Sequence, residues 1–315
     1  MRCFNRKLLV LSLVVLMLSA GTVNAADENE AKSLDELVIE APRAEIRDTF
    51  DDFMPIPTSK FKVDRSEIDA ITTISAEDTV RYAPNLEIRR RYFGDPNGVI
   101  SMRGNGNFQT ARHMLFVDGF PLHSMLRTRF NGAPQWNFVA ADETEAVNIT
   151  YGPFSPKHSG NAMGGVIDIT SRQPEGEEWT LQTTAWVQDW EVFESKGNAP
   201  GYKTFFSHGN KIDKLSYYVF YNRLDTQTQP TDTTVKNNVA AGAGTAVTGV
   251  NNFIDSRVRD SIAYADNGEE SSINDLFKLK MNYDFSSQFK LRGMIGLLDR
   301  HRDQENVNNY IKDAN

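Results

Sequence analysis

Between residues 173 and 315 apolar and polar side chains alternate in separate runs. Trp179, Leu181, Ala185 and Val187 share one face of a run at 179–190, with Gln182, Thr184 and Gln188 on the other. Over 273–284, Phe277, Leu279, Met281 and Tyr283 alternate with Lys278, Lys280, Asn282 and Asp284. Over 289–299, Phe289, Leu291, Ile295 and Leu297 stand against Lys290 and Arg292. Residues 215–224 form another run, and 202–208 a weaker one. A period of two predicts β-strands, here about ten residues long. Short turns at 210–214 and Ser286-Ser287 alternate with a long glycine- and asparagine-rich stretch at 228–270. A soluble β-sandwich has the same period. Strand length, aromatic strand ends and the alternation of short and long connections predict strands of a membrane β-barrel.

Residues 61–172 carry shorter, mixed signals. Phe61-Lys62-Val63, Leu86 to Arg89, Ile100 to Arg103, Glu145 to Thr150 and Val166 to Thr170 read as strands. Ser66 and Ser75 are candidate helix N-caps, each followed by acids in the first turn, and Pro84 stops the second helix. Leu115-Phe116-Val117, then Asp118-Gly119, then Phe120 spells a hairpin with a two-residue turn of positive φ. The expectation is an α+β domain followed by an incomplete antiparallel transmembrane β-barrel.

The first 25 residues read as a signal peptide. Arg2, Arg6 and Lys7 precede an apolar run from Leu8 to Leu18, and Val23-Asn24-Ala25 is a small-x-small cleavage site. The run is shorter than the roughly 20 residues a membrane helix needs. Cleavage removes Cys3, the only cysteine, and three basic side chains, so the formal charge moves from −8 to −11. An acidic chain of this kind argues against nucleic acid as a partner. Residues 26–60 read as extended. Within them Asp35, Glu36, Leu37, Val38, Ile39, Glu40 and Ala41, followed by Pro42, place three aliphatics between acids. Such a run can add to the sheet edge of another protein, or serve as the first strand of the domain that follows.

No constellation points to catalysis. The five histidines, at 113, 123, 158, 208 and 301, lack metal-ligand spacing. No serine sits in a nucleophile elbow. Gly104-Asn105-Gly106 lacks the third glycine of a dinucleotide loop. The expectation is a protein that is not an enzyme and holds no cofactor or resident metal.

Three segments, in order, carry a family resemblance: Ser101-Met102-Arg103-Gly104, Leu115 to Pro121, and Tyr151-Gly152-Pro153 through Gly164-Gly165 to Thr170. Together they resemble the plug domain of TonB-dependent outer-membrane receptors. His158 stands where that family usually has tyrosine, and Asp168 where it usually has asparagine. The resemblance implies residues 35–42 as a TonB box, 61–172 as the plug and 173–315 as the first barrel strands. It implies TonB and outer-membrane lipid as partners, and a plug and TonB box accessible from the periplasm. Because such receptors close about 22 strands, the chain reads as an N-terminal fragment. The stretch between Ala26 and Asp35 is too short for an extra signalling domain.

The resemblance also implies active uptake of a scarce nutrient, with a ferric siderophore or other iron chelate as the default ligand. Haem, cobalamin, thiamin and oligosaccharide stay open. A secreted periplasmic enzyme or binding protein is the alternative of a different class. From Arg81 to Arg129 the chain has eight arginines and three acids. One reading pairs these arginines with barrel-wall carboxylates, and the resemblance gives Arg103 that locking role. The other has outward plug loops present Tyr92, Phe93, His123, Arg127, Arg129 and Trp136 to an anionic ligand.

Overall fold

The computed structural model describes residues 59–95, 98–105, 112–122, 134–152, 158, 162–237, 247–286 and 288–313. The α+β part runs β1 (Lys60–Asp64), α1 (Arg65–Asp69), a 3₁₀ turn (Ala76–Val80), β2 (Leu86–Arg89), β3 (Val99–Met102), β4 (His113–Val117) and β5 (Phe120–Pro121). Short 3₁₀ turns at Trp136–Phe138 and Ala141–Glu143 lead into β6 (Thr144–Tyr151) and then β7 (Gly165–Ser171). One sheet has the order β1-β6-β7-β4-β5, with β4 parallel to β7 and the other pairs antiparallel. Val147 and Ile149 of β6, Ile167 and Ile169 of β7, and Leu115 and Val117 of β4 pack with Ile68, Val80, Met102 and Trp136 as one buried core.

Two helix starts depart from the sequence reading. The first cap is Asp64, not Ser66, because β1 delivers Asp64 in extended conformation directly to the helix, and Glu67 accepts its backbone N–H at 3.0 Å. Ser75 does cap the second element, but that element is a single 3₁₀ turn of five residues. Asp78 ties it down by accepting the N–H groups of Ile74 at 2.9 Å and Ser75 at 3.1 Å.

The wall consists of β8 (Glu178–Val192), β9 (Ser195–Ile212), β10 (Leu215–Thr228), β15 (Glu270–Asp284) and β16 (Lys290–Gln304), ordered β16-β15-β10-β9-β8 and antiparallel throughout. Its strands are 14 to 18 residues long rather than about ten. A 15-residue strand reaches roughly 50 Å, about twice the apolar band of a membrane barrel. The side-chain pattern shows where the extra length lies. Trp179, Leu181 and Val187 of β8, Phe277 and Met281 of β15, and Leu291, Ile295 and Leu297 of β16 are exposed on the outer face. Past them the same face turns polar, with Asp189, Glu191, Asp299, His301 and Asp303 exposed and the Arg223–Asp275 pair 3.1 Å apart. At the short-turn end, the rings of Tyr283, Phe285 and Phe289 stack in series with centroids 4.6 and 5.2 Å apart. Aromatic residues of this kind mark a membrane–water boundary.

The long stretch between β10 and β15 is not one loop. It holds β11 (Thr233–Asn237), β12 (Val247–Thr248), β13 (Asn251–Ile254) and β14 (Asp260–Asp266), and β14 also pairs with β17 (Asn308–Asn309), while β12 pairs with β18 (Lys312–Asp313). These strands are too short and polar for alternation to stand out. Asp266 stitches them to the wall by accepting from Ser195 Oγ at 2.5 Å and Tyr310 OH at 2.6 Å.

Candidate functional site

The inner faces of β9 and β15 carry three lysines, each aimed at the α+β domain. Alternation puts Lys278 and Lys280 opposite the outward Phe277 and Met281, and Lys203 beside the inward Phe205. Lys278 Nζ lies 2.6 Å from Glu143 Oε1, with both side chains fully buried. The ammonium also sits over the rings of Phe138 at 4.7 Å and Phe220 at 5.6 Å. Lys203 Nζ donates to Asp142 Oδ2 and to the Thr73 carbonyl, each at 2.7 Å. Lys280 Nζ donates to Ser171 Oγ and to the Arg172 carbonyl, the latter at 2.9 Å, and lies 3.3 Å from Asp118 Oδ2. Burial pushes the Glu143 carboxyl up from its ordinary value, and the Lys278 ammonium pulls it back. An ammonium stripped of water needs a carboxylate or carbonyl partner. Each lysine has one, contributed by the domain it faces. Around them Ala140, Phe205, Tyr218, Phe220 and Leu276 form an apolar cluster shared by wall and domain.

The arginines behave differently. Arg90 donates to Ser75 Oγ at 2.7 Å and Asp78 Oδ1 at 2.8 Å, and stacks over Phe93 at 4.3 Å. Arg91 grips buried Asp95 with two hydrogen bonds of 2.8 and 2.9 Å. Arg103 donates to the Gly152 carbonyl at 2.8 Å and Ser59 Oγ at 2.7 Å, and lies 5.5 Å from the Tyr151 ring. All these partners belong to the α+β domain. Across the seam, wall cations meet domain acids at Lys278–Glu143, Lys203–Asp142 and Lys280–Asp118, while Arg172 at the end of the domain lies 3.4 Å from Glu178 of β8.

The other expected site residues separate. Phe93 is half-buried, edge-on to Trp186 at 5.3 Å. With Arg90 and Arg91 it lines an open cavity of about 160 Å³, faced by Gln188, Thr228 and Gln229 of the wall region. Tyr92 is buried, and its hydroxyl accepts from Arg300 Nη2 at 3.0 Å. Burial pushes that phenol up to about 12. Trp136 does not present itself to a ligand. It is 1 % exposed and packed in the domain core, because its 3₁₀ turn points the indole inward against Val80 and Val139 rather than out from a loop. His123, Arg127, Arg129 and the segment Asp35 to Ala41 lie outside the described residues. Lys203, Lys278, Lys280, Asp142 and Glu143 are the residues that sequence reasoning misses. The alternation marks the lysines as one polar face, but nothing in it names an acid as their partner.

An α+β domain held by buried ion pairs against the inner face of an apolar-out, polar-in sheet is the arrangement of a plug on part of a β-barrel wall, here an unclosed sheet of five strands. Comparison with known proteins gives the family. The TonB-dependent Receptor Plug Domain matches residues 53–166, so this part of the chain is a plug domain of TonB-dependent receptors, and antiparallel strands of the barrel type follow it. The ferric enterobactin receptor of Pseudomonas aeruginosa is 24% identical over 180 residues, which are 51% of this chain and 24% of that protein. A crystal structure of a mutant of that receptor, in complex with enterobactin, superposes with a TM-score of 0.51 at 18% identity, covering 78% of this chain and 34% of the other. The siderophore receptor PirA of Acinetobacter baumannii gives a TM-score of 0.54 at 16% identity, covering 77% and 32%. The chain thus spans about a quarter to a third of the length of these relatives.

Proposed function

We propose that the complete receptor imports an iron chelate across the bacterial outer membrane, with energy drawn from TonB. The observation that carries this reading is the plug seated on the inner wall. A plug clamped by Lys203, Lys278 and Lys280 closes the lumen, so transport requires work on the plug. The relatives are named for ferric enterobactin and siderophore, which supports iron chelate as the cargo class. The segment Asp35 to Ala41 is the handle, offered as a strand to a sheet edge of the periplasmic partner. In this reading residues 26–60 are the periplasmic arm, 61–172 the plug and 173–315 barrel strands. Arg127, Arg129 and His123, together with Phe93, are the residues assigned to the chelate in this reading, while Arg103 holds the plug's own turn at Gly152.

Two measurements test this. Deleting the gene should slow growth under iron limitation, and the complete receptor should restore it. Removing Asp35 to Ala41 from that receptor should abolish uptake of labelled ferric chelate and leave chelate binding to whole cells nearly unchanged. Uptake that survives the deletion overturns the energy coupling; growth indifferent to iron overturns the cargo.

A further inference from the structure

Where β10 meets the plug, the seam encloses a cavity of about 20 Å³ lined by Glu77, Trp136 and Asn137 of the plug and by Asn222 and Asn274 of the wall. The volume suits one water molecule. Asn137 and Asn274 satisfy each other, with Asn137 Nδ2 donating to Asn274 Oδ1 at 2.8 Å. Three other buried polar atoms of these lining residues have no hydrogen-bond partner among the described residues: Glu77 Oε1, Trp136 Nε1 and Asn222 Oδ1. Glu77 Oε1 and Trp136 Nε1 both lie beside Gly98, 3.5 and 3.6 Å from where its Cβ would stand. That geometry sets a chemical condition. Trp136 Nε1 is only a donor, and Asn222 Oδ1 only an acceptor. A carboxylate can satisfy the first directly and the second only through a bridging water, and it leaves a charge buried in the seam. A protonated carboxyl satisfies both, accepting from the indole and donating toward the amide oxygen, directly or across one water.

We propose that Glu77 is a proton-binding site built into the plug–wall seam: it holds a proton while the plug is seated against β10 and releases it when the seam opens to water. The charges around it fit. Arg90 is engaged by Asp78 and Ser75, and Lys203 on β9 by Asp142. The wall groups facing the cavity, Asn222 and Asn274, are neutral. No cation is therefore left to hold Glu77 as a carboxylate at full strength. Burial pushes its carboxyl up to about 7, against the pull of Arg90, from 4.5 in water. A seated-state value above the open-state value means that seating is favoured at low pH and weakens as pH rises through about 7. The inference concerns the seam and not the cargo, so it stands whatever the receptor imports.

The test is hydrogen exchange on the complete receptor between about pH 6 and pH 8, following peptides that cover 76–80 and 136–141 and correcting for the intrinsic exchange rate. In the wild type the opening equilibrium should rise about tenfold over that range. In Glu77→Gln, which keeps the neutral shape at every pH, it should be flat. Equal pH responses in both proteins, or a flat wild type, overturn the proposal. Infrared difference spectra of the wild type give a second reading that needs no variant. A protonated-carboxyl band should be present near pH 6 and fade toward pH 8, and its absence at the acid end overturns the assignment.

Discussion

Lys278 and Glu143 show how much one buried pair can cost when broken. Both side chains are fully buried and 2.6 Å apart. Replacing Lys278 with Met keeps the volume but strands a carboxylate, at a cost of roughly 3–5 kcal/mol. Adding Glu143→Leu should return most of that, because the pair's Coulomb gain does little more than offset its desolvation. Melting the complete receptor and its three variants closes this double-mutant cycle; additive losses would show that the two residues act separately. The Gly164-Gly165 step is set by space as well as by backbone. Gly165 has φ of 148°, and a Cβ there would collide with Met102 Sδ and the Thr150 carbonyl. Gly165→Val should destabilise the plug by roughly 1–3 kcal/mol, read as earlier loss of plug protection in a thermal scan, and an unchanged scan would remove the argument. His113, buried beside Gly164, adds an acid limb to the pH profile. Burial, then Arg112, pulls its imidazole down to about 4 from 6.5. A depressed histidine gives stability that is present above 6.5 and lost as pH falls toward 4. Its slope thus opposes that of Glu77, and His113→Gln should flatten acid denaturation between about pH 6.5 and 4 in a plug-unfolding assay.

The long elements are legible in the sequence because their pattern is long. β8, β10, β15 and β16 alternate over enough positions that Trp179 to Val187 or Phe277 to Tyr283 suffice to read a strand. Their true ends are not legible. Beyond Val187 and Phe277 the outer face turns largely polar and the inner face mixes Trp190 and Leu276 with Gln188, Asn274 and Ser272, so periodicity fades while the backbone pairing continues, as between Thr228 and Glu270. β9 is faint for a related reason: Gly197, Ala199 and Gly201 on its inner face make room for Trp190 and Trp186 instead of supplying apolar bulk. The strands β11, β13 and β14 are stabilised by contacts distant in sequence, such as Ser195 and Tyr310 on Asp266, which no local pattern contains. The plug reads well because its hairpin and glycine steps depend on local conformation. Its site residues read poorly, since Trp136 and Tyr92 in a polar loop look like ligand groups until packing turns them inward. This division gives a prediction. Because the β10–β15 ladder is complete at Thr228–Glu270, replacing residues 231–268 with a short Asn-Gly turn should leave the complete receptor able to fold in the membrane. Heat-modifiable migration on a gel is the check, and loss of the folded band would mean the outer sheet is needed for assembly.

For the whole molecule, the direction of the charges matters more than their number. The chain is acidic, Arg90, Arg91 and Arg103 are bound to groups of the plug itself, and the wall provides the lysines that reach across. The attachment is uneven. Lys203 and Lys278 hold the 140–143 turn, and Lys280 holds the end of β7. Among the described residues β1 is a sheet edge, paired to β6 alone. If the two lysine pairs seat the plug, Lys203→Met with Lys278→Met in the complete receptor should loosen the 140–143 turn, because two carboxylates would then seek water along the seam. The expected result is faster protease cleavage near residues 140–152 in isolated outer membranes, and entry of a large antibiotic that the wild-type membrane excludes. Adding Asp142→Asn and Glu143→Gln should partly restore the barrier, since neutral amides cost less to keep buried than unpaired charges. A double lysine variant that neither leaks nor is cleaved faster would place the seating of the plug on its apolar contacts with Phe205, Phe220 and Leu276 instead.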